Sequence, residues 1–393
     1  MSWASRRDVL MAGAAGLLVP ACSPRISTKL DLWNNATGPH LRGACLSQRR
    51  VIADLDGPEF LGSGPVGAPI SDDALAELVN CGANLALLSH PGIYSERPPY
   101  RFDPDVASHL VDLVSRCERA GLFVVVGFRS GPGRSEFSLH RDEAGGWYPA
   151  ELLEERLWQS VEARQAWSAM WRHSAVLLRN HANVAGYLLM VEPNANQAAP
   201  GRNGESLDIW DADTLHAAVQ GTPGDWPSLA TAIAQSIREV DEETPLLVSP
   251  DGYANAQFAP LLDLNAVPGM VLAIHDYEPR AYTHGDAGSM ESYDPVDALI
   301  MPPDAERWML GEFGVRRWMA GAGAFLAARL EGLERAGAGS AYFRWGSGWA
   351  PYEEQENAWN PLYGSDPDSQ AVDPLSPTLT ALKAAWSRNR HRP

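Results

Sequence analysis

The chain has 393 residues, of which 45% are hydrophobic and 20% charged, so it is long enough to bury a full globular core. Its formal net charge is −18, which excludes a typical nucleic-acid-binding protein, because contact with a phosphate backbone requires basic patches. The sequence contains no glycine-rich phosphate loop, no nucleophile elbow and no metal-ligand spacing, so it predicts neither a cofactor nor a metal.

The N-terminus has the features of an export signal. The pair Arg6 and Arg7 precedes an apolar stretch that is too short to span a bilayer, a pattern typical of cleavable signals of the twin-arginine route. The stretch ends at Cys22 in a sequence similar to a bacterial lipobox, although an ordinary signal peptide is the alternative. We expect residues 1–22 to be a signal with a lipidated cysteine and residues 23–40 to be a tether. The protein would then be periplasmic or at the cell surface, bound to a membrane by its lipid only.

After the tether, short apolar runs alternate with helical patterns, as in βαβ units. Eight runs are predicted to be strands: 41–46, 84–88, 122–126, 184–191, 245–249, 269–274, 306–311 and 340–344. Helices are predicted from residue 71 and at 103–120, 154–180, 226–240, 256–262, 322–336 and 376–387, with none evident after the sixth strand. This count predicts a single (β/α)₈ barrel domain over residues 41–393.

Three long connections, 193–225, 275–305 and 345–375, follow predicted strands. They should lie on the C-terminal face of the barrel, where barrel enzymes place their chemistry. Glu192 and Glu312 directly follow the fourth and seventh strands. Strands four and seven lie on opposite sides of a barrel, so two carboxylates would face each other across its mouth. A single strand-end glutamate is more often a solvated or ion-paired surface group, but an opposed pair suits double-displacement cleavage of glycosidic bonds.

Short motifs stand in order at the ends of the predicted strands over residues 41–350. They are Leu41-Arg42-Gly43-Ala44, Gly82-Ala83-Asn84-Leu85, Gly127-Phe128-Arg129-Ser130-Gly131-Pro132-Gly133, Val191-Glu192-Pro193, His275-Asp276-Tyr277, Glu312-Phe313-Gly314 and Trp345. The ordered set resembles the cellulase-type family 5 of glycoside hydrolases, which belongs to clan A of retaining barrel enzymes.

This resemblance implies roles for individual residues. Glu192 falls on the acid/base of the family and Glu312 on its nucleophile, while Trp345 falls on the tryptophan that forms the floor of the sugar site. His275 and Tyr277 would orient the nucleophile and line the site. For Trp345, His275 and Tyr277, plain packing in the core is the alternative to a role in the site.

The chain departs from the family at three positions. The usual arginine of the second strand falls on Leu87, the third-strand histidine on Arg129, and the asparagine before the acid/base on Val191. The asparagine normally holds the sugar 2-hydroxyl, and Arg129 could replace the missing cation near the nucleophile. We therefore expect a retaining β-glycosidase, or alternatively a degenerate barrel that only binds glycans; transglycosylation is a variant of the first.

Three cysteines follow the lipobox: Cys45, Cys81 and Cys117. Their spacing fits no metal site, and we interpret them as packing residues, although one disulfide is an alternative.

Overall fold

In the computed structural model, the described residues are 27–56, 66–67, 70–201, 203–298, 303–346 and 352–393. Eight parallel strands form a closed barrel in sequence order, which confirms the predicted (β/α)₈ fold. The strands are β1 Arg42–Ser47, β2 Leu85–Pro91, β3 Phe123–Ser130, β4 Val184–Leu188, β5 Leu246–Val248, β6 Met270–His275, β7 Trp308–Phe313 and β8 Gly339–Tyr342. Cys22 and the predicted export signal lie outside the described residues.

Seven α-helices of eight or more residues cover the described part of the barrel: α1 Asp72–Asn80, α2 Pro104–Ala120, α3 Val161–Leu178, α4 Ala212–Val219, α5 Trp226–Arg238, α6 Ala322–Ala336 and α7 Pro377–Trp386. Local sequence explains their ends. The Asp103 side chain accepts hydrogen bonds from the first turn of α2, and Gly121 ends that helix in a left-handed conformation with φ of 79°. None of the described helices has the length and apolar character needed to cross a membrane.

The 3₁₀-helices and the α-helical segments of fewer than eight residues lie in the loops. They are Lys29–Trp33, Ala53–Asp56, Glu136–Glu143, Ala150–Leu152, Arg156–Trp158, Ala195–Ala198, Asp251–Ala254, Ala256–Leu261, Arg280–Thr283, Pro295–Ala298 and Glu353–Asn357. The connection after β6 holds only two of these short turns among its described residues, as the sequence predicted. Helix α4 and the segments Glu136–Glu143 and Glu353–Asn357 were not predicted, because α4 has only eight residues and the other two have polar sequences without a clear apolar period.

Every strand is buried along almost its whole length, because the helices cover the outside and side chains fill the inside. Alternate residues point to the two faces. Leu87 and Val125 belong to the cluster inside the barrel, whereas Leu88 and Val126 pack beneath the helices.

Part of the segment predicted as a tether packs against the N-terminal end of the barrel. Leu32 and Trp33 are buried in the same cluster as the barrel interior. The Trp33 indole donates a 2.8 Å hydrogen bond to the carbonyl of Ala185 near the start of β4. The described domain therefore begins before residue 41, since this segment closes the floor of the barrel.

The cysteines behave as packing residues. Cys45, Cys81 and Cys117 are all free thiols, and Cys45 and Cys117 are fully buried. The alternative of a disulfide among them is therefore wrong.

Candidate active site

Two glutamates meet at the C-terminal mouth of the barrel. Glu312 lies inside β7, one residue before the strand ends, rather than after the strand as predicted. Glu192 stands four residues beyond the end of β4, with a left-handed φ of 50°. One oxygen of each carboxylate and one ring nitrogen of His275 all lie within 4.8 Å of one another. The structure therefore brings together the two carboxylates that the sequence placed on opposite strands.

His275, the last residue of β6, bridges the two carboxylates. Its Nδ1 lies 2.9 Å from Glu192 Oε1 and 3.6 Å from Glu312 Oε2. The ring lies flat on Gly311, where a Cβ atom would come within 3.1 Å of the imidazole Nε2. Glycine at this position of β7 therefore leaves the room that the bridging imidazole occupies.

Tyr277 contacts the same oxygen of Glu312 that faces His275. Its hydroxyl donates a 3.0 Å hydrogen bond to Glu312 Oε2. The edge of its ring faces Phe343 and Trp359, with ring centroids 6.3 Å and 5.5 Å away. His275 and Tyr277 thus take the positions around Glu312 that the sequence motif implied, while their roles in catalysis stay a prediction.

Burial and the bridging imidazole shift the pKa values of Glu192 and Glu312 in opposite directions. Burial raises the pKa of Glu312, and the neighbouring charge of Glu192 adds to that rise. Burial also acts to raise the pKa of Glu192, but the hydrogen bond and charge of His275 outweigh it, so the pKa of Glu192 is lowered. The pKa of His275 is raised, since the two carboxylates overcome the effect of burial. The pKa of Glu312 therefore lies above that of Glu192.

Two buried arginines support the site from β3 and its loop. Arg129 is 4% exposed, and its described hydrogen bond is a 3.3 Å contact with the Ser89 hydroxyl. Burial lowers its pKa to about 10, so it stays charged near neutral pH, and its charge opposes the rise in the pKa of Glu312. Arg129 is therefore a cation close to the predicted nucleophile.

Arg134 was not singled out by the sequence reading. Its guanidinium donates hydrogen bonds of 2.7 Å to the Val191 carbonyl and 2.6 Å to the Glu192 carbonyl. These bonds hold the backbone of Glu192 in its left-handed conformation, which a residue with a side chain seldom adopts. An arginine just after a glycine-rich turn gives no local signal of such a contact.

Two of the three departures from the family pattern, Leu87 and Val191, are hydrophobic residues inside the barrel. Leu87 is fully buried in the interior cluster, below the mouth. Val191 is 2% exposed, and its methyl groups pack over Gly127, where a Cβ atom would lie 3.0 Å from Val191 Cγ2. Neither side chain can donate a hydrogen bond to a sugar hydroxyl.

Trp345 does not form the floor of the site, and that prediction is wrong. Its indole is 2% exposed, donates a 3.2 Å hydrogen bond to the Ala74 carbonyl in α1, and faces Trp386 at a centroid distance of 5.8 Å. Strand β8 ends at Tyr342, two residues earlier than predicted, so the chain has already turned outward at residue 345. Phe343 is the aromatic residue that faces Tyr277 instead.

Other aromatic residues stand further along the rim. Trp210 is 46% exposed and stacks on Tyr253 with centroids 6.4 Å apart. Tyr352 stacks on Trp147 at 4.9 Å, from loops that follow β8 and β3.

Glu192, His275 and Glu312 are also the group among the described residues whose donor atoms could hold a metal ion. However, His275 Nδ1 already bonds Glu192 at 2.9 Å. A metal ligated through this nitrogen would have to break that bond, so the geometry fits a proton-sharing trio better than a metal centre.

Comparison with known proteins identifies the fold. No family model matches the chain. Endoglucanase 3 of Fibrobacter succinogenes is 30% identical over 102 residues, which is 24% of this chain and 15% of that protein's length. Endoglucanase Cel5A of Thermotoga maritima, solved with mannotriose, superposes with a TM-score of 0.57 over 90% of this chain and 99% of its own, at 15% identity. The chain has the fold of these endoglucanases.

Two further solved structures share this fold. Pseudomonas stutzeri endoglucanase Cel5A gives a TM-score of 0.57 at 17% identity, covering 89% of this chain and 95% of its own. Subunit Z of the cellulose synthase of Clostridioides difficile gives 0.54 at 14% identity, covering 87% and 99%. At these identities the likeness establishes the architecture, and the chemistry must be argued from the site.

Proposed function

We propose that the chain is a retaining glycoside hydrolase that cleaves β-linked polysaccharides or oligosaccharides by double displacement. The observation that carries the proposal is the pair of carboxylates at the barrel mouth, with one oxygen of each within 4.8 Å of the other. Retaining enzymes need about 5 Å between their two carboxyl groups, whereas inverting enzymes need more room for a water molecule. The fold shared with endoglucanases, and the family 5 motifs, support the same chemistry.

Each glutamate has its own role. Glu312 attacks the anomeric carbon and forms a covalent glycosyl-enzyme, while Glu192 gives its proton to the leaving glycosidic oxygen. Glu192 then takes a proton from water, and the water oxygen displaces Glu312 from the sugar. Tyr277 holds Glu312 Oε2 at 3.0 Å and directs the other oxygen of that carboxylate towards the substrate.

The mechanism needs the higher pKa on Glu192, whereas in the unbound site the pKa of Glu192 is lowered and that of Glu312 is raised. His275 Nδ1 stands between the two carboxylates, nearer to Glu192, and determines this order. A glycosidic oxygen that contacts Glu192 competes for its hydrogen bond with the imidazole. We propose that substrate binding moves His275 towards Glu312, which transfers the proton preference to Glu192.

The neighbours suggest where to look for a substrate. Solved relatives of the fold were studied with mannotriose and cellobiose. We therefore propose β-linked glucans and mannans as the first substrates to test.

The test is a panel of glucans, mannans and their aryl glycosides, with wild-type protein and Glu312→Ala. We expect wild-type hydrolysis with retained configuration at the anomeric carbon, detected by NMR of the first product, and a loss of at least about 10³-fold in the variant, typical of removing a nucleophile. Glu306→Ala is the matched control, since Glu306 precedes the same strand and is exposed. An inverted product, or full activity of Glu312→Ala, would rule out the mechanism.

Glycan binding without turnover is the second candidate. The apolar Val191 and Leu87 favour it, because neither replaces the polar contact expected there. In that case both wild type and Glu312→Ala would bind a glycan and release no product. Arg129→Ala further distinguishes hydrolysis from glycan binding alone. Loss of turnover with retained binding is expected if Arg129 stabilises charge at Glu312. Unchanged turnover would exclude that role.

We also propose that the chain is exported by the twin-arginine route and lipidated at Cys22. The arginine pair and the lipobox-like sequence support this. Cys22→Ser in the full chain should release the protein from the membrane fraction and abolish incorporation of labelled palmitate. Unchanged membrane association of the variant would contradict the anchor.

A further inference from the structure

The position of Glu192 identifies the two sides of the mouth, provided that the proposed function holds. The glycosidic oxygen lies between the sugar that is attacked and the sugar that leaves. Because Glu192 protonates this oxygen, the leaving sugar lies on the side of β4 and β5. The loops after these strands are joined there by a 2.9 Å hydrogen bond from the Tyr253 amide to the Pro193 carbonyl. In an eight-stranded barrel, the retained sugar then extends towards β8 and β1.

The leaving-sugar side offers an open aromatic surface. Trp210 exposes 46% of its area and stacks on half-buried Tyr253, with an angle of 20° between the ring planes. Flat apolar rings of this kind match the C–H faces of sugars. This side can therefore accept further sugar units of a chain.

The retained-sugar side is filled with buried charged groups. Glu356, which follows β8, forms ion pairs with Arg49 after β1 and with Arg344 after β8, the latter at 3.0 Å. Glu356 is 3% exposed and Arg49 is 6% exposed. A cleft that continued over β8 and β1 would leave these groups in contact with solvent.

This filled region lies directly beside the predicted nucleophile. Burial lowers the pKa of Arg344, and the charges of Glu356 and Glu312 both oppose that fall. The charges of Glu136, Glu356 and Glu312 likewise oppose the fall in the pKa of Arg129. The charge of Glu312 therefore acts on Arg344, a member of the buried cluster, as well as on Arg129.

Two loops complete the barrier above β1 and β2. The rings of His140 and Trp147, in the loop after β3, lie 4.6 Å and 4.9 Å from the ring of Tyr352, in the loop after β8. The Tyr352 hydroxyl also donates a 3.3 Å hydrogen bond to Glu143. Strands β1 and β2 lie between β8 and β3 in the barrel, so this contact spans their ends.

A cavity of about 220 Å³ lies near this barrier, lined by residues of the loops after β1, β2 and β3. Glu136 belongs to its lining, and its charge opposes the fall in the pKa of Arg129. Glu192, Glu312, His275 and Phe343 are not among its lining residues.

We infer that the retained-sugar side holds one sugar ring, bounded by the Arg49–Glu356–Arg344 cluster and the Trp147–Tyr352 contact. The enzyme then removes single units from the non-reducing end of a chain and does not cut within it. This inference rests on the proposed function and adds its mode of attack.

The test uses β-1,4-linked gluco- and manno-oligosaccharides of two to six units, labelled by reduction at the reducing end. We expect the first products of a hexamer to be an unlabelled monosaccharide and a labelled pentamer, resolved by mass spectrometry. Labelled fragments of two to four units among the first products would overturn the inference while leaving the proposed function intact. Failure to cleave any oligosaccharide or aryl glycoside would instead reject the proposed function, and the inference with it.

A double variant tests the barrier itself. Trp147→Ala with Tyr352→Ala should raise the share of released fragments longer than one unit by at least about tenfold, a change of about 1.4 kcal/mol in relative barrier. Trp210→Ala is the matched control: it should slow cleavage of long substrates without lengthening the released fragment. Unchanged products from the folded double variant would overturn the assigned barrier. The wild-type product pattern decides the inference even if the double variant does not fold.

Discussion

His275 is the residue on which the protonation of the site depends. Its Nδ1 contacts both carboxylates, and its ring needs the space above Gly311. The imidazole holds the pKa of Glu192 down and opposes the rise in the pKa of Glu312. The same side chain therefore acts on the acid and on the nucleophile at once.

We predict that His275→Gln moves both limbs of the pH profile of kcat/KM to higher pH. Without the imidazole, the pKa values of both carboxyls rise, so ionisation of the nucleophile and loss of the acid's proton both need more alkaline solution. A hydrogen bond to a charged group contributes about 1.5–3 kcal/mol, so kcat should fall by roughly 10- to 100-fold. The full pH–rate profile is the measurement, and unmoved limbs would show that His275 has only a packing role.

Asp251, which follows β5, is another buried carboxyl, and it has no role in the proposed mechanism. Burial raises its pKa to about 6 from 3.8, against hydrogen bonds from the Asn196 and Gly252 amides. Between these two pH values the folded chain keeps a proton that the unfolded chain has lost. The free energy of unfolding contributed by Asp251 therefore falls as pH rises through this window.

We predict that Asp251→Asn removes this pH dependence. A shift from 3.8 to about 6 corresponds to about 3 kcal/mol. The variant should thus gain up to about 3 kcal/mol relative to wild type between pH 4 and pH 7. Urea denaturation of both proteins across this range gives the difference, and a constant difference would show that the carboxyl titrates normally.

At the scale of elements, regular strands and helices were predictable and loop contacts were not. The apolar runs gave all eight strands, because each strand is covered on both faces. The Asp103 cap and Gly121 gave the bounds of α2. Trp345 was misplaced because β8 ends two residues before the apolar pattern suggests. A strand end is set by hydrogen bonds to its neighbours, which local sequence does not encode.

The pairing of Arg49 with Glu356 was also beyond sequence reasoning. The two residues are 307 positions apart and belong to irregular loops. Their proximity follows only from closure of the barrel, which places β8 beside β1. The carboxylate pair could be predicted because both members lie next to strands whose order in a barrel is fixed.

Glu356 joins the loops after β1 and β8, and we predict that Glu356→Ala destabilises the protein by about 3–5 kcal/mol. The change leaves Arg49 and Arg344 buried without their shared carboxylate, which costs more than the ion pairs themselves contribute. Glu354→Ala, an exposed neighbour on the same short helix, is the control and should change stability by less than about 0.5 kcal/mol. Equal urea midpoints for the two variants would contradict this account.

At the scale of the whole molecule, the barrel depends on a segment that precedes its first strand. Trp33 closes the floor, and its indole bonds the Ala185 carbonyl at 2.8 Å. We predict that Trp33→Ala lowers the free energy of unfolding by about 3–5 kcal/mol, as for other buried tryptophans. Lys29→Ala, which loses a half-buried 2.9 Å hydrogen bond to the His181 carbonyl, should cost less than about 1.5 kcal/mol. Thermal or urea unfolding distinguishes the two, and a smaller effect of Trp33→Ala than of Lys29→Ala would refute the role of the floor.

The floor segment also fixes how the molecule would stand on a bilayer. Lys29–Trp33 packs at the end of the barrel opposite the carboxylates, and six residues, 23–28, separate it from Cys22. Six fully extended residues reach about 20 Å. A diacylglyceryl group on Cys22 would hold the base of the barrel against the lipid headgroups and point the opening away from them. The opening would then bind glycan strands from the aqueous side, because it would stand about one barrel height above the membrane surface.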